Sequence, residues 1–152
     1  MKVAVVLFGV LMGIAPALRA QVVANCEEPT GSRYDMVGGL VKSQPDGFEG
    51  AHPVLVLSAN PDSTILSYSW GPAKWAADAG LPTTVEQAVI ISRIPEKITA
   101  VAVMNDPAGV VQMLSLFPTK GLVIMSQHKY MQVGEGVPNA GTFYAKCTVR
   151  SR

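Results

Sequence analysis

From Ile98 onward the chain alternates apolar runs with short clusters of turn-forming residues. Ile98 to Asn105 runs into Asp106-Pro107-Ala108-Gly109, with Pro second and Gly fourth as a type I turn prefers. Val110 to Phe117 returns, Pro118-Thr119-Lys120-Gly121 turns again, and Leu122 to Tyr130 follows. Short turns between such runs predict consecutive antiparallel strands. Further upstream, Leu66, Tyr68 and Trp70 alternate with Ile65, Ser67 and Ser69 inside the segment Thr64 to Trp70, the period-2 signature of a half-buried strand. Pro53 to Ser58 is a strand with its proline in the first position, where the missing N–H matters least.

The remaining segments carry weaker patterns. Arg33 to Lys42 predicts one weak strand interrupted by Gly38 and Gly39, followed by a loop over residues 43–52. Gly71 to Pro82 places alanines between Pro72 and Gly80, which predicts a short helix anchored in the core by Trp75. Thr83 and Glu86 imitate a helix capping box, yet the β-branched run up to Ile94 reads as a strand from about Ala88. A loop over residues 131–141 leads to a last strand, Thr142 to Val149. The expected fold is mostly β: an antiparallel meander forming a small sandwich or open barrel, with one short helical segment near Trp75.

Several strands, Val54 to Leu57, Val89 to Ile91 and Ile98 to Met104, are apolar with almost no alternation. An antiparallel sheet usually leaves one face to water, so these predict cover on both faces. A second sheet with the Trp75 segment, a ligand inside a barrel-like cavity, or another subunit could each supply it.

The N-terminus sets the compartment. Lys2, an uncharged apolar run from Val3 to Leu18 and a small residue at Ala20 form a secretory signal-peptide pattern, with cleavage expected after Ala20. Gly9, Gly13 and Pro16 interrupt the run, which is short for a membrane span. The expectation is a secreted or periplasmic protein, a single β-rich domain over residues 21–152, with no stable membrane insertion after cleavage. Losing Lys2 and Arg19 takes the 12 basic side chains to 10, against 11 acidic ones. A near-neutral chain with no basic stripe and no basic amphipathic helix is not built for nucleic acid or a membrane surface. The two cysteines, Cys26 and Cys147, predict one disulfide joining the ends of an exported chain.

Little in the chain points to catalysis. His52 and His128 have no metal-ligand spacing, so neither a metal nor another cofactor is expected. There is no G-x-S-x-G elbow and no S-x-x-K, and no catalytic residue is assigned. The acids Asp46, Asp62 and Asp106 each flank a proline, where bonding to a turn accounts for them. His128 shares a strand face with Leu122, Ile124, Ser126 and Tyr130, the pattern of a strand emerging from a core. It reads as a rim residue, or as part of a binding site with Tyr130 and with Trp70 or Trp75. The expectation is therefore an exported non-catalytic β-domain that binds a protein, glycan or small apolar ligand. The alternatives are a small hydrolase using His128 with a carboxylate, and a structural envelope protein that self-associates as a homo-oligomer.

Overall fold

The computed structural model describes residues 21–71, 77–78, 80, 83–104, 109–131 and 137–151. Among them the strands are β1 (Gln21–Cys26), β2 (Thr30–Val37), β3 (Leu40–Gly47), β4 (Val54–Ser58), β5 (Ile65–Ser69), β6 (Glu86–Ile94), β7 (Lys97–Met104), β8 (Val110–Phe117), β9 (Leu122–Met131) and β10 (Val137–Ser151), with a 3-10 turn at Pro118–Lys120. The expected signal peptide, Trp75 and the turn residues 106–108 lie outside the described residues; of the expected helical segment, Ala77 and Asp78 are described and helical, and the Gly80 N–H donates to the Ala77 carbonyl at 3.0 Å.

The fold is all-β, as the pattern predicts. From β4 to β10 each strand pairs antiparallel with the next, and β1 lies between β4 and β10, closing an eight-stranded barrel. Eight strands enclose a space just wide enough for side chains to fill. Leu55, Leu57, Leu66, Leu114, Leu116, Val123, Met125 and Phe143 fill it, all fully buried. The inner faces of the meander therefore cover one another around a closed ring, with no second sheet among the described residues.

β2 and β3 leave this ring as a hairpin. The long strand β10 is shared along one edge: Cys147 to Ser151 pair with β1, and Asn139 to Tyr144 pair with β2. β2 lies so close to β10 that a Cβ at Gly31 would stand 2.0 Å from the Thr142 carbonyl oxygen, which only glycine tolerates. Here the structure corrects the weak single strand expected over Arg33 to Lys42 and the loop expected after it. Gly38 and Gly39, with φ of 59° and 77°, form the two-residue turn between Val37 and Leu40, and β3 continues through Pro45 to Gly47. The composition of β3 reads as loop because it is an edge strand with both faces largely in water.

Smaller differences have similar causes. β10 starts at Val137, ahead of the expected Thr142, because β9 and β2 pair with its first half. β6 starts at Glu86, where Tyr68 is its partner. In β6 a register shift between Ile90 and Ser92 leaves Ile91 unpaired, a bulge that turns this side chain outward, 62% exposed. Part of the missing alternation in Val89 to Ile91 is this extra residue.

The expected bridge is present. Cys26 and Cys147 are directly opposed partners on β1 and β10, with an S–S distance of 2.04 Å. The Cys147 N–H donates to the Gly121 carbonyl at 2.7 Å, so the turn after β8 is tied to the bridged strand.

Candidate functional site

The barrel has two polar or functional surfaces to consider, one inside and one outside. Inside, the core changes character toward the end where β7 finishes and β8 begins. Tyr68 on β5 donates its hydroxyl to Gln112 Oε1 on β8 at 2.8 Å, across the lumen, and Gln112 Nε2 reaches Gln127 Oε1 at 3.4 Å. Burial, reinforced by the neighbouring Glu86 carboxylate, pushes the Tyr68 hydroxyl well above its ordinary pKa. Tyr68 is thus a neutral structural donor.

An aromatic stack covers this end. Phe48, just after β3, stacks on Trp70 at 4.9 Å and meets Phe143 edge-on at 4.8 Å. Trp70 also packs edge-on against Tyr68. Trp70, one of the expected ligand residues, is engaged in this internal stack.

Outside, alternation along five neighbouring strands builds a groove. Pleating sends His128 and Tyr130 of β9, Pro138 and Ala140 of β10, and Tyr34 and Met36 of β2 to the same outer face. Register pairing puts them in rows: Val111, His128, Ala140 and Tyr34 are successive cross-strand partners, and Tyr130 faces Pro138 one step along. Val41 of β3, opposite Met36, closes the far side. The small residues of β10 make the floor, and the larger side chains of β9 and β2 stand as walls about 10 Å apart, two strand spacings. The cavity is about 480 Å³ and open to solvent.

The groove continues into an exposed apolar ladder. Ile65, Val89, Val101 and Met113 are successive cross-strand partners from β5 to β8, and Val103 is the partner of Val111. Val103 is 62% and Val89 53% exposed. Isolated surface hydrophobes need no explanation, but a row of direct neighbours forms a continuous patch.

A charged network supports the groove from the other face of the hairpin. Arg33 donates to Asp35 at 2.8 Å and to Asp46 at 3.1 Å, Gln44 donates to Asp35 at 2.9 Å, and Asn139 also donates to Asp35. Burial pushes the Asp35 carboxyl up, but the bonds from Asn139, Arg33 and Gln44 outweigh it and hold the acid below its ordinary range. The Arg33 guanidinium is held protonated, first by its bond to Asp35. Asn139 is 4% exposed, and its Oδ1 has no hydrogen-bond partner among the described residues.

Of the residues expected to form a ligand site, the structure brings His128 and Tyr130 together and keeps Trp70 off the groove lining; Trp75 lies outside the described residues. Tyr34, Met36, Val41, Val111, Pro138 and Ala140 join them in the lining, beside Asp35 and Asn139, and are not evident from sequence, because β2 reaches β9 only through its pairing with β10. Their one local signal is the spacing of Tyr34 and Met36 two apart, which suits a strand face. No group of His, Cys, Asp or Glu suited to holding a metal ion occurs among the described residues. No family model, no curated protein and no solved structure matches the chain.

Proposed function

We propose that the protein is an exported, non-catalytic binding module that takes a protein partner on the outer wall of its barrel. The observation that carries this reading is the continuity of the groove with the apolar ladder: Val111 belongs to both, through His128 on one side and Val103 on the other. A flat apolar surface spread over several strands suits a macromolecular partner better than a small ligand, which prefers an enclosed site. The lumen is packed with Leu, Met and Phe side chains, which argues against a ligand held inside.

Export is supported by the apolar leader at residues 1–20 and by a disulfide of the kind that persists in oxidising compartments. A lipid-facing role for the ladder fits less well. β4 and β5 are 5 residues each, about half of what a membrane-spanning strand takes. The hydrolase alternative needs a carboxylate beside His128. Asp35 lines the same groove, but it pairs with Asn139 whereas His128 pairs with the adjacent Ala140, so the two project to opposite faces.

Photo-crosslinking in the exporting cell tests the proposal. A photoreactive residue at Val103 or Tyr130 is expected to give a discrete protein adduct, reduced by Val111→Asp, whereas one at Glu96, in the turn at the far end of β7, gives none. Equal labelling at all positions, or none at Val103 and Tyr130, counts against the reading. Intact-mass analysis of exported protein should show a chain starting at Gln21.

A further inference from the structure

β3 is the last strand of the sheet, so one of its edges has no partner strand among the described residues. Which backbone groups lie on that edge follows from one bond. The Phe48 N–H donates to the Pro29 carbonyl at 3.2 Å, so the 29/48 pair is hydrogen-bonded. Antiparallel pairs alternate, and in this register Gly31/Asp46, Arg33/Gln44 and Asp35/Lys42 are hydrogen-bonded too. The backbone N–H and C=O of Val41, Ser43 and Gly47, and the C=O of Pro45, therefore point away from β2. The ring nitrogen of Pro45 lies on this side as well, where its missing N–H costs the hairpin nothing.

We infer that a second copy of this chain pairs with this edge, β3 against β3 antiparallel, about a two-fold axis at Gln44. The reason is charge. In that register Lys42 stands directly opposite Asp46 of the other copy, twice by symmetry, on the closely spaced non-hydrogen-bonded positions. Lys42 makes no ion pair among the described residues, its cross-strand neighbour Asp35 being bonded to Arg33, Gln44 and Asn139, whereas the Asp46 carboxylate already holds Arg33 and the Gly47 N–H and has lone pairs to spare. A register centred on Lys42 or on Asp46 would instead set like charges face to face. An isologous contact of this kind is self-complementary and closes at two copies.

The backbone agrees with this arrangement. In it Ser43 N–H meets the Pro45 carbonyl of the other copy and Val41 N–H meets the Gly47 carbonyl, each made twice. The Gly47 N–H can stay on Asp46 Oδ1, where it sits at 2.9 Å. Lys and Pro on an edge usually serve as guards against pairing. Here the lysine is matched by an acid four positions on, and the proline removes a single donor per copy.

Sedimentation of the oxidised protein across a concentration series is expected to show a reversible dimer. Lys42→Asp should weaken it at least tenfold, and the double reversal with Asp46→Lys should restore it to within about threefold. Ser43→Pro, which removes an outward N–H and no bond to β2, should leave a folded monomer. Should Asp46→Lys disturb the hairpin through Arg33, Gln44→Cys supplies a second readout of register: an intermolecular disulfide forms across the axis, and none forms with Ser58→Cys. A protein monomeric at every concentration overturns the inference, as does a dimer that survives Ser43→Pro or one that Gln44→Cys does not crosslink.

Discussion

β7 and β8 have a paired neighbour on each edge and bury Ala100, Leu114 and Leu116 almost completely, whereas β3 has one open edge and keeps every residue except Asp46 exposed. Both regions are antiparallel β-structure within one continuous sheet. The barrel is held by burial, which is non-directional and sums over many side chains. The hairpin buries little and is held by its ladder to β10 and by the Arg33, Asp35, Gln44, Asp46 and Asn139 network. Burial by closure makes a region tolerant of pH and intolerant of cavities, and a charged network does the reverse.

The largest expected effect breaks the barrel side of that comparison. Phe143 is fully buried and also carries the Phe48 contact that links the hairpin's end to the core. Phe143→Ala should cost about 3 to 5 kcal/mol in denaturant unfolding. It should also lower the protection of barrel and hairpin amides together. If only hairpin amides lose protection, the core does not depend on this residue.

Removing the bridge comes next. The Cys26 to Cys147 bond spans a sequence separation of 121 residues, and Cys26→Ser with Cys147→Ser should cost about 2 to 4 kcal/mol. The barrel should still form, because β1 pairs on both edges independently of the sulfur atoms. Far-ultraviolet dichroism of the double variant should be unchanged below its lower melting temperature.

Asp35 sharpens the hairpin side. Its folded carboxyl is held below the ordinary value of 3.8, so its stabilising contribution is fully present above that value and is lost as pH falls through the lower folded one. Amides of β2 and β3 should therefore lose protection in acid before those of β7 and β8. Asp35→Asn should reproduce this at neutral pH, at a cost of about 1 to 2 kcal/mol confined to the hairpin. Loss spread evenly over the barrel would show that the network supports more than the hairpin.

The smallest effect is expected on the outer wall. Val103→Ser changes a side chain that is 62% exposed and should shift unfolding by no more than about 0.5 kcal/mol. A much larger loss would make the ladder structural rather than a surface open to a partner.

Legibility differed between the two regions for the same reason that their stability does. Strands β4, β5, β8 and β9 are readable because their period, composition and turn residues are local properties. Leu66 and Tyr68 alternate with serines whatever they pack against, and Gly121 ends the 3-10 turn in the left-handed conformation, φ 57°. β3 is not readable, since Lys42, Ser43, Gln44, Pro45 and Asp46 favour extended structure only once β2 lies beside them. The groove is half legible: His128 and Tyr130 share a face by spacing, but Tyr34 reaches them through Ala140 on a strand more than a hundred positions away.

By itself, then, the sequence determined the class of structure, the strands of the meander and the pairing of the only two cysteines, all of which follow from short-range pattern or from counting. The tertiary structure decided that the sheet closes through β1, that β10 is divided between β1 and β2, and that the apolar outer positions line up into one ladder beside a groove. Closure and register depend on which distant strands share an edge, and that choice is made by the burial and hydrogen bonding of the whole ring rather than by any segment within it.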